Sequence, residues 1–183
     1  MAVPEAPLEQ TEHGLAPKGQ GWFVLNAREA SWSDRPGRGA RSKFEGLEGE
    51  AKFSQLGVNI QVIGPGEPMA MYHWEADQED FLVISGEALA IVEGEERPIG
   101  PWDLLHCPAG TKHVIVGAGS GPCVLIAVGA RGQSTGPDWG AYTVDEVALR
   151  HGAGVKKETT EADEAYARFK DVEWTSYREG WLP

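Results

Sequence analysis

The chain has 183 residues and a formal net charge of −12, from 28 acidic and 16 basic side chains. Such an acidic surface repels phosphate backbones and argues against a nucleic-acid partner, while a hydrophobic fraction of 41% argues against a disordered chain. No stretch approaches about 18 uninterrupted apolar residues, and the first residues are polar and acidic, so we predict no membrane span, no secretion signal and a cytoplasmic location.

In chain order, the composition predicts four parts. They are a flexible lead-in over residues 1–20, a strand and a long loop over 21–51, a barrel over 52–130, and an extension with short helices over 131–183. The strand of the second part is expected at residues 22–25, where apolar side chains cluster, and the loop at residues 33–51, where glycine interrupts any steady period.

The predicted loop contains a short basic run. A run of this kind is typical of a solvated loop, or of a loop that pairs with acidic residues, and we predict one of these two states here. Its cationic side chains are Arg35, Arg38, Arg41 and Lys43.

Residues 52–129 alternate between short apolar runs and turn residues. About eight such runs are separated by glycine and proline, which is typical of an all-β barrel or sandwich. Cys107 and Cys123 lie in two of these runs. A disulfide is not expected in a chain without a secretion signal, so both are predicted to be buried free thiols.

Two short helices are predicted in the extension. Thr143 and Glu146 form a Thr-x-x-Glu capping box at the start of a helix over residues 144–151. A second helix over 160–170 has apolar side chains along one face. An aromatic tail follows, which we expect to cover the barrel or a neighbouring subunit; it consists of Trp174, Tyr177 and Trp181.

The segment from His73 to Glu79 contains three potential metal ligands. Residues two apart in a strand point to the same face, so His73 and Glu75 would project side by side. Glu79 begins the next apolar run, and a hairpin at residues 76–78 would bring it back beside them. A later strand opens at His113, directly after a Pro-x-Gly turn.

Imidazole and carboxylate groups together suit one divalent transition metal ion, namely Fe, Mn, Zn, Co or Ni. Taken alone, His73 is more often a hydrogen-bonded and partly buried histidine, and isolated glutamates are usually surface carboxylates. Inside a small barrel, however, such groups cost several kcal/mol each unless they are paired or bound to an ion. A metal ion would remove that cost for all of them together.

Two stretches of the sequence resemble the motifs of the cupin superfamily. The first motif, commonly written G-x5-H-x-H-x3,4-E-x6-G, is similar to GEPMAMYHWEADQEDFLVISG at residues 66–86. The second, G-x5-P-x-G-x2-H-x3-N, is similar to WDLLHCPAGTKHVIVG at residues 102–117. The resemblance implies an all-β fold, the small single-domain RmlC-like jelly roll or double-stranded β-helix. It also implies a metal held by His73, Glu75, Glu79 and His113.

The sequence departs from these motifs at four positions. Glu75 occupies the position of the second histidine, which gives two histidines and two glutamates and favours harder cations. Six residues, not five, separate Gly66 from His73. Trp102 stands where the second motif opens with glycine, and Gly117 stands where it closes with asparagine; these last differences concern turns.

Two residues are candidates for a catalytic role. If Glu75 leaves the metal, it becomes a general base. His106 lies in the second motif but away from the ligand position. It would act as an acid/base or support a ligand if it faces the cavity, and would lie on the outer face or at a subunit contact if it does not.

The resemblance implies a metal-dependent dioxygenase, decarboxylase or isomerase that acts on a small oxygen-rich metabolite, with the metal as a Lewis acid or as a platform for O2 and substrate. The alternatives are a non-catalytic small-molecule-binding or sensor protein, and a structural dimer stabilised by the metal. A cavity beside the metal would favour the first two, and a closed site the third. We also expect a homodimer, because such barrels often pair through sheet edges and the terminal segments are long and aromatic.

Overall fold

The computed structural model describes residues 2–45, 53–132 and 138–183. These residues form short strands, with two helices of five residues each. The elements are β1 (Leu8–Gln10), β2 (Leu15–Pro17), β3 (Ser31–Asp34), β4 (Ala40–Lys43), β5 (Leu56–Ile63), β6 (His73–Glu75), β7 (Glu79–Ser85), β8 (Glu87–Val92), β9 (Glu95–Ile99), β10 (Leu104–Cys107), β11 (His113–Ala118), β12 (Cys123–Ala130), β13 (Gly140–Tyr142), α1 (Glu146–Arg150), α2 (Ala162–Tyr166) and β14 (Glu173–Ser176).

Two antiparallel sheets make up the barrel. The larger has seven strands in the order β10-β7-β12-β5-β4-β3-β14, and the smaller has five in the order β13-β6-β11-β8-β9. The eight runs predicted between residues 52 and 129 correspond to β5 through β12. The predicted all-β jelly-roll fold is therefore confirmed.

The main apolar core lies between the two sheets. Alternate residues of each strand point inward, so Phe81 and Val83 of β7 meet Leu125 of β12 and Ile115 of β11, all of them buried. Cys107 and Cys123 are buried in the same cluster as free thiols, as predicted. Neither helix in the described part of the chain is long and apolar enough to cross a membrane.

The first 45 residues contain more strand than the sequence predicts. The expected lead-in contains the hairpin β1–β2, in which Leu8 pairs with Pro17. The expected strand at residues 22–25 is wrong, because Trp22 forms only a single bridge and Val24 is exposed. The expected loop contains β3 and β4, and its residues 46–51 lie outside the described part.

The sequence did not predict the strands β3 and β4, because most of their side chains are polar. Ser31, Ser33 and Ser42 are fully buried, so burial there does not follow hydrophobicity. Ser33 and Ser42 make hydrogen bonds to the backbone instead, and the Ser42 hydroxyl accepts from the Ile60 amide at 2.8 Å. Buried polar groups that are satisfied in this way leave no apolar alternation in the sequence.

The C-terminal extension completes both sheets. β13 pairs with β6 and β14 pairs with β3, so the sheets reach beyond the predicted barrel of residues 52–130. Both predicted helices are present, but Asp145 caps α1 in place of Thr143, and its side chain accepts from the Ala148 amide. The sequence also predicts a loop at residues 132–140, of which residues 133–137 lie outside the described part.

The aromatic tail covers the outer face of the seven-stranded sheet of its own chain. Tyr177 and Trp181 pack against the buried Trp32 of β3, with ring centroids 6.0 Å and 5.0 Å away. Of the two expected locations, the tail therefore occupies the one on the barrel.

Candidate metal centre

Two histidines lie side by side on neighbouring strands of the five-stranded sheet. His113 of β11 pairs directly with His73 of β6, and their ring centroids are 4.9 Å apart. The turn from Pro108 places His113, because Gly110 has a positive φ of 83° and the Thr111 amide donates to the Pro108 carbonyl. Both imidazoles are buried.

Hydrogen bonds fix which nitrogen of each ring faces the cavity. His73 Nδ1 lies 2.7 Å from the Met71 carbonyl, and His113 Nδ1 lies 3.0 Å from the Thr111 carbonyl. A carbonyl oxygen only accepts, so each Nδ1 bears the hydrogen. Nε2 of both histidines is thereby left to bind a metal, which is the usual way in which an outer partner orients a histidine ligand.

Glu79 reaches these histidines from the opposite sheet. It begins β7 in the seven-stranded sheet, and its Oε2 lies 3.5 Å from His73 Nε2 and 3.2 Å from His113 Nε2. The predicted convergence is present, but the predicted route through a hairpin is wrong, because β6 and β7 belong to different sheets. The chain crosses from one sheet to the other at residues 76–78.

The three side chains fit one metal ion. Their ligand atoms lie within 4.8 Å of one another. Ligands bound at about 2.1 Å from a single ion are roughly 3.0–3.5 Å apart, which matches the separations between Glu79 Oε2 and the two imidazole nitrogens. Glu79 Oε2 and His113 Nε2 are also buried, and although they lie 3.2 Å apart, neither has a hydrogen bond of normal geometry to a described residue. Unsatisfied atoms that converge in this way are what a bound cation would satisfy.

Glu75 lies at the edge of this group. Its Oε1 is 3.5 Å from His73 Nε2, and its side chain is 21% exposed and lines the adjoining cavity. It is not among the three residues whose ligand atoms all converge, which are His73, Glu79 and His113. Its roles as fourth ligand or as base stay predictions.

The electrostatics of the metal-free cluster favour charged forms. Burial alone would lower the pKa of His73, but the nearby carboxylates of Glu75 and Glu79 outweigh it and raise that pKa to about 10. Burial also opposes charge on His113, yet contacts with Cys107 and Glu79 raise its pKa to about 9. The pKa of Glu79 is lowered despite its burial, because both imidazoles approach it. A metal must therefore displace protons from the histidines.

His106 does not face the cavity. Its side chain is 51% exposed and its Nδ1 lies 2.6 Å from the Asp80 carboxylate on the outer surface. On β10, Leu105 and Cys107 pack toward the core, so the alternation of the strand turns His106 outward. The proposed catalytic role of His106 is therefore wrong, and the outer-face alternative is correct.

A cavity of about 510 Å³ adjoins the candidate ligands. His73, Glu75 and Glu79 line one end, which together with His113 we call the histidine–glutamate end. The other end, which we call the arginine end, is lined by Arg35, Arg38 and Arg41.

The prediction of a solvated basic loop, or of one paired with acids, is wrong for these three arginines. Arg35 is 4% and Arg38 is 8% exposed, and none of the three forms an ion pair with a carboxylate of the described residues. One signal was present in the sequence: residues 35–43 contain four basic side chains and no acidic one, although the chain as a whole is strongly acidic.

Aromatic side chains from the C-terminal extension form a third wall of the cavity. Trp139 and Tyr142 lie 6.4 Å and 5.9 Å from His73 between ring centroids, and Tyr166 packs edge-on against Tyr142. Burial raises the pKa of Tyr142 well above its ordinary value, so its hydroxyl stays protonated. Nothing in the sequence pattern predicted that these residues lie at the site.

Comparison with known proteins supports the fold. Residues 59–129 match the family model of the cupin domain, a range that includes all four predicted ligands. No curated protein matches the chain.

Among solved structures, the chain is similar to an RmlC-like cupin from Shewanella frigidimarina, at 16% identity over 62% of this chain and 95% of that one, with a TM-score of 0.52. It is also similar to the polyketide cyclase RemF from Streptomyces resistomycificus, at 13% identity over 64% and 89%, with a TM-score of 0.50. A sugar phosphate isomerase from Silicibacter pomeroyi is 27% identical over 51% and 60%, with a TM-score of 0.44. The similarity to the first two structures concerns the fold alone.

Proposed function

This chain is a member of the cupin superfamily, and we propose that it is a metal-dependent enzyme that acts on a small oxygen-rich molecule bound in the cavity. The observation that carries the proposal is the convergence of His73, Glu79 and His113 at the end of a roomy polar cavity. A metal with only a structural role would need no such space. The cavity therefore favours the enzyme, or the binding protein, over the structural dimer.

A divalent cation bound by His73, Glu79 and His113 would supply Lewis-acid chemistry toward an oxygen of the substrate. Imidazole and carboxylate ligands suit Fe, Mn, Zn, Co or Ni. The buried hydrogen bonds from the two Nδ1 atoms would keep the imidazole rings in position while substrate enters and leaves.

Glu75 would act as the general base. Its carboxylate lines the cavity beside His73 without joining the three converging ligand atoms, so it is placed to accept a proton from a bound substrate. Trp139 and Tyr142 would cover the reacting end and limit its contact with water, which strengthens electrostatic interactions there.

Turnover assays with the metal-loaded protein test the proposal. Small sugars, hydroxy acids and keto acids are offered with and without O2, and the disappearance of each compound is followed. We expect turnover of at least one class, with loss of turnover after chelation and in His113→Ala. A protein that binds metal and a compound of these classes without converting it would overturn the enzyme and leave the sensor alternative.

The homodimer and the cytoplasmic location stay proposals. Trp102 and Leu104, beside and on the edge strand β10, are 75% and 65% exposed and would supply apolar surface for pairing. Light scattering of the purified chain should give twice the monomer mass, and a monomer would contradict the dimer.

A further inference from the structure

The arginine end of the cavity contains positive charge that forms no ion pair with a described carboxylate. We propose that Arg35, Arg38 and Arg41 bind an oxyanion group of the substrate, a phosphate or a carboxylate. The inference rests on the proposed function in that both use the same cavity, and it names the chemical class of the substrate.

The guanidinium groups are buried with unused donors. Nε of Arg35, of Arg38 and of Arg41 is buried and has no hydrogen-bond partner among the described residues. A buried charged donor that is unpaired costs free energy, so this arrangement is unfavourable without an acceptor. An oxyanion presents several acceptor oxygens and suits the fork of N–H groups that a guanidinium offers.

Neutral neighbours hold two of the arginines in place without cancelling their charge. Arg35 donates from Nη1 to the Met69 carbonyl at 3.2 Å and from Nη2 to the Arg38 carbonyl at 3.2 Å and to the Gln61 side chain. The Arg38 guanidinium lies 4.2 Å from the ring centroid of Tyr166. Both side chains are therefore pre-oriented, which lowers the entropic cost of binding an anion.

The local electrostatics favour an anion. Burial, followed by the positive charges of Arg41 and Arg38, lowers the pKa of Arg35 to about 9, and burial also lowers the pKa of Arg41. A pKa of about 9 still leaves Arg35 charged at pH 7. Because the chain as a whole is strongly acidic, this positive region is a local feature of the cavity wall and not a consequence of composition.

The strand register shows how a ligand would span the two ends. Glu79 aligns with Gly129 and Gly57 across the seven-stranded sheet, whereas Arg41 aligns with Gln61, four residues farther along β5. Four residues correspond to roughly 13 Å along a strand, and β12 and β5 also lie between β7 and β4, so the long Arg41 side chain covers part of the distance to Glu79 within the shared cavity. A small molecule with a metal-binding oxygen at one end and an oxyanion at the other fits this arrangement.

Calorimetric titration with inorganic phosphate and with succinate tests the inference, on both metal-free and metal-loaded protein. We expect at least one of these anions to bind to both forms. Preference for phosphate assigns a phosphorylated substrate, and preference for succinate assigns a carboxylate. If neither anion binds to either form, the inference is wrong.

Single substitutions then locate the anion. Arg41→Gln and Arg38→Gln should each weaken binding by about tenfold to 100-fold, as expected for loss of a charge-assisted hydrogen bond. Arg41→Lys keeps the charge but not the fork of N–H groups, so it should lose less anion affinity. It replaces Arg41→Gln in the test if that variant does not fold. Arg97→Gln is the matched control, since it removes the same charge from an exposed position on β9. Equal anion affinity in all four variants would overturn the assignment.

Metal analysis of the same variants separates this inference from the proposed function. The arginine variants should retain their full metal content. If the wild-type chain binds no metal but its anion binding depends on Arg41, the metal site fails and the oxyanion site stands. If metal binds and neither anion binds, the metal site stands and the oxyanion site fails.

Discussion

The two ends of the cavity satisfy their charged groups in different ways. At the histidine–glutamate end, the carboxylates of Glu75 and Glu79 face the imidazoles of His73 and His113, so opposite charges are already paired. At the arginine end, three guanidiniums lie together with only neutral hydrogen-bond acceptors among the described residues. The first end is internally compensated, whereas the second is not.

The parts of the cavity that differ in this way also come from different ranges of the sequence. The histidine–glutamate end lies within residues 59–129, the range that matches the cupin domain. The arginine end comes from β4 and the turn that precedes it, before that range, and the aromatic wall comes after it. We infer that the barrel supplies the metal chemistry and that the flanking segments supply the selection of substrate, since one fold hosts many functions through such additions.

Removal of a ligand from the compensated end should have the largest effect. His113→Ala deletes a buried Nε2 that faces Glu79, and we expect metal affinity to fall by more than about 100-fold. The matched control is His106→Ala, which removes the same side chain from the outer surface and should leave metal content near one ion per chain. Elemental analysis after dialysis against metal measures both, and equal metal content in the two variants would refute the site.

The pH dependence of metal binding should reveal the pairing at this end. The pKa values of His73 and His113 lie near 10 and 9, above the ordinary 6.5. The protonated imidazoles therefore stabilise the metal-free protein fully below pH 6.5, and that stabilisation is lost as the pH rises through 9 and 10. A metal competes with these protons.

Metal affinity should consequently rise by about tenfold per pH unit for each proton released, up to about 100-fold per unit if both histidines lose one. The pKa of Glu79 is lowered, so this carboxylate stays charged throughout the range. Titrations of metal into the protein at pH 6, 7 and 8 measure the slope. An affinity that does not change between pH 6 and pH 8 would contradict the protonated cluster.

The same contrast explains how much the sequence could predict. His73, Glu75 and Glu79 lie within seven residues, and His113 follows a Pro-x-Gly turn, so local spacing alone suggested that they converge. The eight strands of the barrel were likewise visible as apolar runs between turns. What local spacing could not show was that Glu79 reaches the histidines from the opposite sheet.

The arginine end was hidden because its burial depends on contacts distant in sequence. Arg35 is anchored by Met69 and Gln61, and Arg38 by Tyr166, at separations of 26 to 128 residues. The serine-rich strands that support them lack apolar alternation, since their buried hydroxyls bond to the backbone. A basic run in the sequence therefore looked like a solvated loop.

The variants Glu79→Gln and Glu75→Gln distinguish metal ligation from proton transfer at the compensated end. Glu79 approaches both imidazoles, so its loss should weaken metal binding by at least about tenfold. Glu75 approaches only His73, so its replacement should change metal affinity less while abolishing turnover if it is the base. Metal titration and turnover are measured on both variants, and a larger loss of metal in Glu75→Gln would make Glu75 the principal carboxylate ligand.

The smallest effect should come from the uncompensated end. There the sign of the change in the free energy of unfolding distinguishes a compensated arginine from an uncompensated one. Arg41→Met removes a buried charge without a partner, so we expect the free energy of unfolding to rise by about 1 kcal/mol in anion-free buffer. Arg131→Met is the matched comparison. Arg131 forms two hydrogen bonds with the Glu45 carboxylate, at 3.0 Å and 2.5 Å, and its loss should lower the free energy of unfolding by about 1 kcal/mol.

Urea denaturation measures both variants, first without and then with the anion that binds wild-type protein. A ligand at 100 times its Kd stabilises the native state by about 2.7 kcal/mol, so saturation should make wild type more stable than Arg41→Met. The order of stability of wild type and Arg41→Met reverses between the two conditions only if the bound anion compensates the charge of Arg41. A destabilised Arg41→Met in anion-free buffer would mean that Arg41 is already compensated in the folded chain.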